Sequence, residues 1–185
     1  MKQLALAALL SLALTPLVSL AAPADDVKAA PSCPHCGMDR EKFASSRMVI
    51  EFDDGTSAGT CSLHCAAVDL AVTLDKAPVA LKVADMAGKQ LVDAEKAFWV
   101  MGGGKPGVMT KRAKWAFADK AAAEAFAKEQ GAALVTFEEA LRASYEDMYQ
   151  DTKMIREKRK MMRQKMMMEK AAGQGGEKPA EPAKH

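Results

Sequence analysis

The sequence predicts an α+β fold: two tandem ββαβ units followed by a long C-terminal helical extension. Three observations predict it. Two stretches each carry short β-branched or aromatic runs, then a helical-period run, then another strand-like run. The second helical run is bracketed by a capping aspartate, Asp119, and a terminating glycine, Gly131. From Glu138 the pattern turns helical and stays so to about Lys170.

Taken in order, residues 1–24 read as a signal peptide. Lys2 supplies a minimal positive start, Leu4 to Leu20 is almost wholly apolar, and Ala22-Pro23-Ala24 offers a small-x-small cleavage site, with the cut placed after Ala24 or Ala21. The apolar run is marginal for a span of about 30 Å and lacks a basic flank on its far side; a retained anchor is the alternative. No cysteine ends the run, so no lipidation site is expected, and the reading is a soluble periplasmic protein. Removing the peptide leaves about 160 residues, one domain's worth. Aromatics are only 5%, so alanine, valine and leucine must fill the core.

Residues 25–32 read as a Pro/Ala linker. The first unit covers 33–88: a strand over Arg47–Phe52, an Asp53-Asp54-Gly55 turn, a return strand over Thr56–Thr60, a helix over Leu63–Leu74 stopped by Pro78, and a strand over Val79–Val83. The second covers 89–137: strands over Lys89–Val92 and Ala97–Val100, the Gly102–Gly107 loop, a strand over Lys114–Phe117, the capped helix, and a closing strand over Ala133–Phe137. Residues 138–170 form a basic, methionine-rich helix, and 171–185, rich in Gly, Pro, Lys and Glu, are expected to be disordered.

The chemistry lies in four cysteines arranged as two close pairs, Cys33-Pro34-His35-Cys36-Gly37-Met38 and Cys61-Ser62-Leu63-His64-Cys65. Thiolates are soft, polarisable and anionic, so thiolates at i, i+3 and i, i+4 suit a soft or borderline cation such as Cu(I) or Zn(II). Met38 and a total of 13 methionines add thioether sulfur, which leans toward Cu(I). His35 and His64 sit inside the pairs and join the candidate ligands. In an oxidising compartment the pairs face disulfide formation, but loops this short would staple little. Two other readings stay open. Cys33 and Cys36 match the Cys-Pro-His-Cys tetrapeptide of periplasmic thiol oxidases, although no strand precedes Cys33 and Gly37 is a poor helix start. All four thiols could instead complete a structural Zn(II) site.

Further residues carry a resemblance. Cys36-Gly37-Met38, Asp93–Val100, Gly107-Val108-Met109, Phe117, the Ala121–Phe126 helix and Phe137 follow one another as in the NosL family, accessory proteins of nitrous-oxide reductase maturation. The resemblance spans roughly residues 33–141. It implies two similar ββαβ units and Cu(I) carriage by a periplasmic chaperone, with Cys36, Met38 and Met109 as ligands. The chain departs from the family in lacking a lipidation cysteine and in the surroundings of Met109. The Cys61/Cys65 pair and the methionine-rich tail look like additions.

That tail holds eight Lys/Arg against two Glu across Lys153–Lys170, with Met154, Met161, Met162, Met166, Met167 and Met168. It reads as a partner-helix or peripheral membrane face over residues 146–170, or as a Cu(I) reservoir. Basic charge in an exported protein does not suggest nucleic acid. No serine-histidine-acid set and no paired carboxylates stand in a recognisable motif, so the chain is not read as an enzyme. The expected function is a soft-metal carrier that receives or donates metal to a periplasmic protein. The alternatives are a thiol oxidoreductase and a Zn-stapled interaction protein acting through the methionine-rich helix.

Overall fold

Strand periodicity builds the first layer. In β1 (Met48–Phe52) burial alternates, so Met48, Ile50 and Phe52 point into the core while Val49 and Glu51 face outward. The Asp53-Asp54-Gly55 turn closes with Gly55 at φ 79°, and the Asp54 carboxylate accepts from the Thr56 amide at 2.9 Å. The chain returns as β2 (Ser57–Thr60), runs through α2 (Leu63–Val72), and comes back as β3 (Pro78–Ala84). The four-stranded antiparallel sheet has the order β2-β1-β3-β4, its last strand being β4 (Leu91–Asp93). The second sheet, β6-β5-β7, is built from β5 (Phe98–Met101), β6 (Lys114–Phe117) and β7 (Ala133–Val135), with α3 (Lys120–Gln130) crossing between β6 and β7. A computed structural model describes residues 24–174; most of the expected signal peptide and the segment from residue 175 lie outside the described residues.

The α+β architecture is therefore present, and the ββαβ order occurs twice. One core cluster joins the units: Met48, Ile50 and Phe52 of the first sheet meet Trp99 of β5 and Phe137 and Ala140 of the final helix, α4 (Phe137–Gln174). The Trp99 and Phe137 rings lie 5.9 Å apart, and the Trp99 indole donates to the Ala94 carbonyl at 2.8 Å. Helix α3 is capped as expected: the Asp119 carboxylate accepts from Ala122 N at 2.8 Å, and Gly131 takes the left-handed C-cap at φ 64°.

The structure differs from the sequence reading at five places. Residues 25–32 are not simply a linker, because Asp25–Ala29 form a short helix, α1. The strand near Lys89–Val92 pairs with β3 in the first sheet, not with the second unit. Phe137 does not close a strand; it opens α4. Thr136 and Glu139 make a capping box in which Thr136 Oγ1 accepts from the Glu139 amide at 3.2 Å and Glu139 accepts from the Thr136 amide at 2.7 Å. Pro78 does not stop α2, which ends at Val72; instead it opens β3. In addition, α4 extends to Gln174, so residues 171–174 are helical.

Helix α1 is held by a buried cation. Arg40 is fully buried, and its guanidinium donates to the carbonyls of Asp26 at 2.6 Å, Ala30 at 2.7 Å, Met48 at 3.1 Å and Thr60 at 3.2 Å, and to the Asp26 carboxylate at 2.8 Å. Asp26 also takes a two-pronged grip from Arg47, at 2.8 and 3.0 Å. Gly59 of β2 makes room, since a Cβ there would stand 2.6 Å from the Arg40 guanidinium. The Asp26 carboxyl is held below the usual carboxylate range: burial opposes this, but the two arginines outweigh it.

Asp26→Asn leaves two buried arginines short of their counter-charge and is expected to lower stability by about 3 kcal/mol at pH 7 in urea unfolding. A lowered carboxyl pKa stabilises only above the unfolded value, so the gap between the two proteins should narrow as pH falls below about 4.

Candidate metal centre

The first cysteine pair sits on a reversed loop. Gly37 takes φ 71°, its amide donates to the Cys33 carbonyl at 2.7 Å, and the Cys33 amide donates to the Met38 carbonyl at 2.9 Å. These bonds fold Cys36 back over Cys33, and the Ser32–Asp39 bridge closes the base. The second pair comes from the end of β2 and the first turn of α2. Cys61 precedes the N-cap Ser62, and Cys65 lies in the first turn of the helix. Ser46 Oγ donates to the Cys61 carbonyl at 2.8 Å.

The two pairs converge. Cys36 Sγ lies 3.4 Å from Cys61 Sγ, and Cys61 Sγ lies 3.7 Å from Cys65 Sγ. All four sulfurs lie within 4.8 Å of one another. A tetrahedral ion with metal–sulfur bonds of about 2.3 Å spaces its ligands about 3.8 Å apart, so the cluster has the dimensions of a four-sulfur site. All four cysteines are free thiols; Cys33, Cys61 and Cys65 are buried and Cys36 is half-exposed. Met38, Phe43, Val108 and Met109 pack against the cluster.

Packing four thiols together splits their acidity. Cys33 is pushed down because Cys36, Cys61 and Cys65 all hydrogen-bond to its thiolate. Cys36 is opposed by Cys33 but pulled down by Cys61 and Cys65, and it ends below the ordinary thiol value. Cys61 and Cys65 are pushed up, chiefly because their protonated thiols hydrogen-bond to Cys33 and Cys36, with burial adding to the rise.

The histidines stand apart from this group of sulfurs. His35 Nε2 lies 2.7 Å from Asp69 Oδ1, tying the first cysteine loop to α2. His64 is buried, with Nδ1 3.6 Å from Asp151 Oδ2 of α4, and burial pushes its pKa below the usual imidazole value although Asp151 opposes this. Neither Asp69 nor Asp151 carries any motif that would have marked it in the sequence. The same is true of Arg40, whose role depends on carbonyls far along the chain.

Met109 is placed by charge and by strain. Its loop is fastened to α4: Arg112 makes a two-pronged bond to Asp147 at 2.8 and 2.9 Å, Lys114 reaches Asp147 at 3.1 Å, and the Lys111 amide donates to Asp151 at 3.1 Å. Met109 itself adopts φ 63°, in the left-handed region that costs a side-chain-bearing residue roughly 1–2 kcal/mol. Its side chain packs against the sulfur cluster.

Above the cluster lies a cavity of about 710 Å³, lined in part by Cys36, Met38 and Met109 and roofed by Met154, Arg159 and Met162 of α4. Arg159 also donates to the Cys36 carbonyl.

A family model described as NosL matches residues 23–145, about two thirds of the chain; the outer part of α4 lies beyond the match. Among solved structures, a protein described as the copper chaperone NosL from Shewanella denitrificans is similar, with a TM-score of 0.51 and 20% identity over 63% of this chain and 94% of that one. At that identity the likeness concerns the fold. The comparison with curated proteins finds no match.

If Met109 is strained, glycine should relieve it. Met109→Gly is expected to unfold at higher denaturant than Met109→Ala, by about 1 kcal/mol, because only glycine accepts the left-handed conformation freely.

Proposed function

This chain belongs to the NosL family, a family of accessory proteins rather than enzymes, and from that premise we propose that it is a periplasmic Cu(I) carrier. The observation that carries the reading is the convergence of Cys33, Cys36, Cys61 and Cys65 at the base of a cavity, with Met38 and Met109 against them. Copper is the cargo, bound through thiolate sulfur with thioether sulfur alongside, a donor set that favours a soft monovalent ion. The description of the similar Shewanella denitrificans protein as a copper chaperone supports the same cargo. The client inferred from the family is nitrous-oxide reductase during its maturation. Delivery takes place after export through the signal peptide expected at residues 1–24.

The half-exposed Cys36 suits transfer better than storage. An incoming ligand can reach an ion at Cys36 while the three buried thiols still hold it, so the ion changes hands one bond at a time. His35 enters as a support: its ring lies against the Asp69 carboxylate of α2 and so steadies the loop that carries Cys33 and Cys36. No helix among the described residues is long and apolar enough to cross a membrane.

The sulfur spacing also supports a second reading, Zn(II) in a closed four-thiolate site. The two are separated by anaerobic titration of the reduced protein with Cu(I) and Zn(II) against a competing chelator. The carrier reading expects Cu(I) to bind far more tightly than Zn(II). Cys36→Ser and Cys61→Ser should each lower Cu(I) affinity by more than about tenfold, the lower end of what even supporting residues contribute. Stoichiometric Zn(II) that Cu(I) does not displace would overturn it.

A further inference from the structure

The cavity above the cysteines has walls of unusual chemistry. Five of the chain's 13 methionines line it: Met38 from the first cysteine loop, Met86 just after β3, Met109 from the strained loop, and Met154 and Met162 from α4. Among the described residues its only thiol is Cys36, and no aspartate, glutamate or histidine lines it. The charged side chains along it are Lys42, Lys105, Lys158 and Arg159, all cationic. Packing alone explains Met162 poorly, since it lines the cavity while remaining 65% exposed.

Building on the copper reading above, we propose that this cavity is a second soft-ion site, a thioether vestibule in which the five methionines hold Cu(I) on its way to or from Cys36. Thioethers are neutral and soft. They bind Cu(I) or Ag(I) but offer little to Zn(II) or harder cations. The ring of cations strengthens that filter, because by Coulomb's law it repels a divalent ion twice as strongly as a monovalent one.

The geometry also supplies a direction. Met38 and Met109 touch both the cysteine cluster and the cavity, so they form the inner end. Met162 stands at the mouth, and Met166, one helical turn further along α4 and 60% exposed, continues the same face outward. Each step forms one copper–sulfur bond as another breaks. The metal stays Cu(I), no electron moves, and the only proton released is that of a thiol becoming a thiolate at the cluster.

The test is methyl NMR of the full reduced chain carrying [methyl-13C]methionine, titrated anaerobically with Ag(I), a diamagnetic stand-in for Cu(I), with thiolate–silver absorbance followed in parallel. The first equivalent should fill the thiols. The second should shift the methyls of Met86, Met154 and Met162, whereas Zn(II) should leave those of Met154 and Met162 in place. Met86→Leu/Met154→Leu/Met162→Leu, which conserves volume, should lose the second equivalent and keep the first. If the thiols fill and the Met154 and Met162 methyls do not move, the vestibule is refuted while the carrier reading stands. If thiolate absorbance stays flat and the methyls shift, the vestibule stands and the cysteine site fails. Should the triple variant not fold, the shifts in the unmodified chain decide alone.

Discussion

The buried guanidinium of Arg40 is the constraint on which the rest of the molecule depends. It follows the first cysteine loop directly and is taken wholly out of water, so its donors must all find acceptors inside the protein. It finds them on four separated stretches: α1, the start of the cysteine loop, the head of β1 and the tail of β2. Two of those acceptors are next to the chemistry. The Thr60 carbonyl adjoins Cys61, and the Ala30 carbonyl lies three residues before Cys33. One side chain therefore sets the separation between the two cysteine pairs. Asp26, shared between Arg40 and Arg47, supplies the charge that makes burying it tolerable.

Helix α4 applies a second constraint of a different kind. Its first turns belong to the core through Phe137 and Ala140, and its middle holds the Met109 loop through Asp147 and Asp151. Further along, the same helix spans the cavity and then runs into solvent, its methionines exposed. Core packing thus gives way along one element to a chemically soft surface. The thioethers of Met154 and Met162 lie on the outer part of that helix, where methionine's unbranched side chain repacks easily.

Much of this was legible in the chain, and what was not failed for identifiable reasons. The α+β class followed from two periodicities and from the Asp119 and Gly131 caps, all of them local signals. Phe137 was misassigned because Val135 and Phe137 continue an alternating apolar pattern, while the Thr136–Glu139 capping box starts a helix within it. The strand at Leu91–Asp93 was placed with its neighbour in sequence, but its partner is β3, and pairing is a long-range property. Helix α1 looked like a linker because five residues carry little propensity of their own; Arg40 and Arg47 hold it from outside. At the site, both cysteine pairs and Met38 stood out by type and spacing, and Met109 through the resemblance to the NosL family. The carboxylates facing His35 and His64 did not, because nothing local distinguishes Asp69 or Asp151 from a surface acid.

The arrangement of sulfur by type suits the carrier function proposed above. A site made only of buried thiolates would hold a soft cation tightly and exchange it slowly, since no ligand could be replaced before another had left. A site made only of exposed thioethers would exchange freely and retain little. Here the anionic sulfurs lie at the bottom, with one half-exposed thiol, Cys36, at the boundary. The neutral sulfurs begin at that boundary and continue toward solvent. On the proposed carrier function, affinity would fall with distance from the core, and the ion would meet a succession of small steps in place of one large barrier. Met109 belongs to the same arrangement: its left-handed backbone places the residue where it packs against the thiols, and the ion pair between Arg112 and Asp147 fastens its loop to α4.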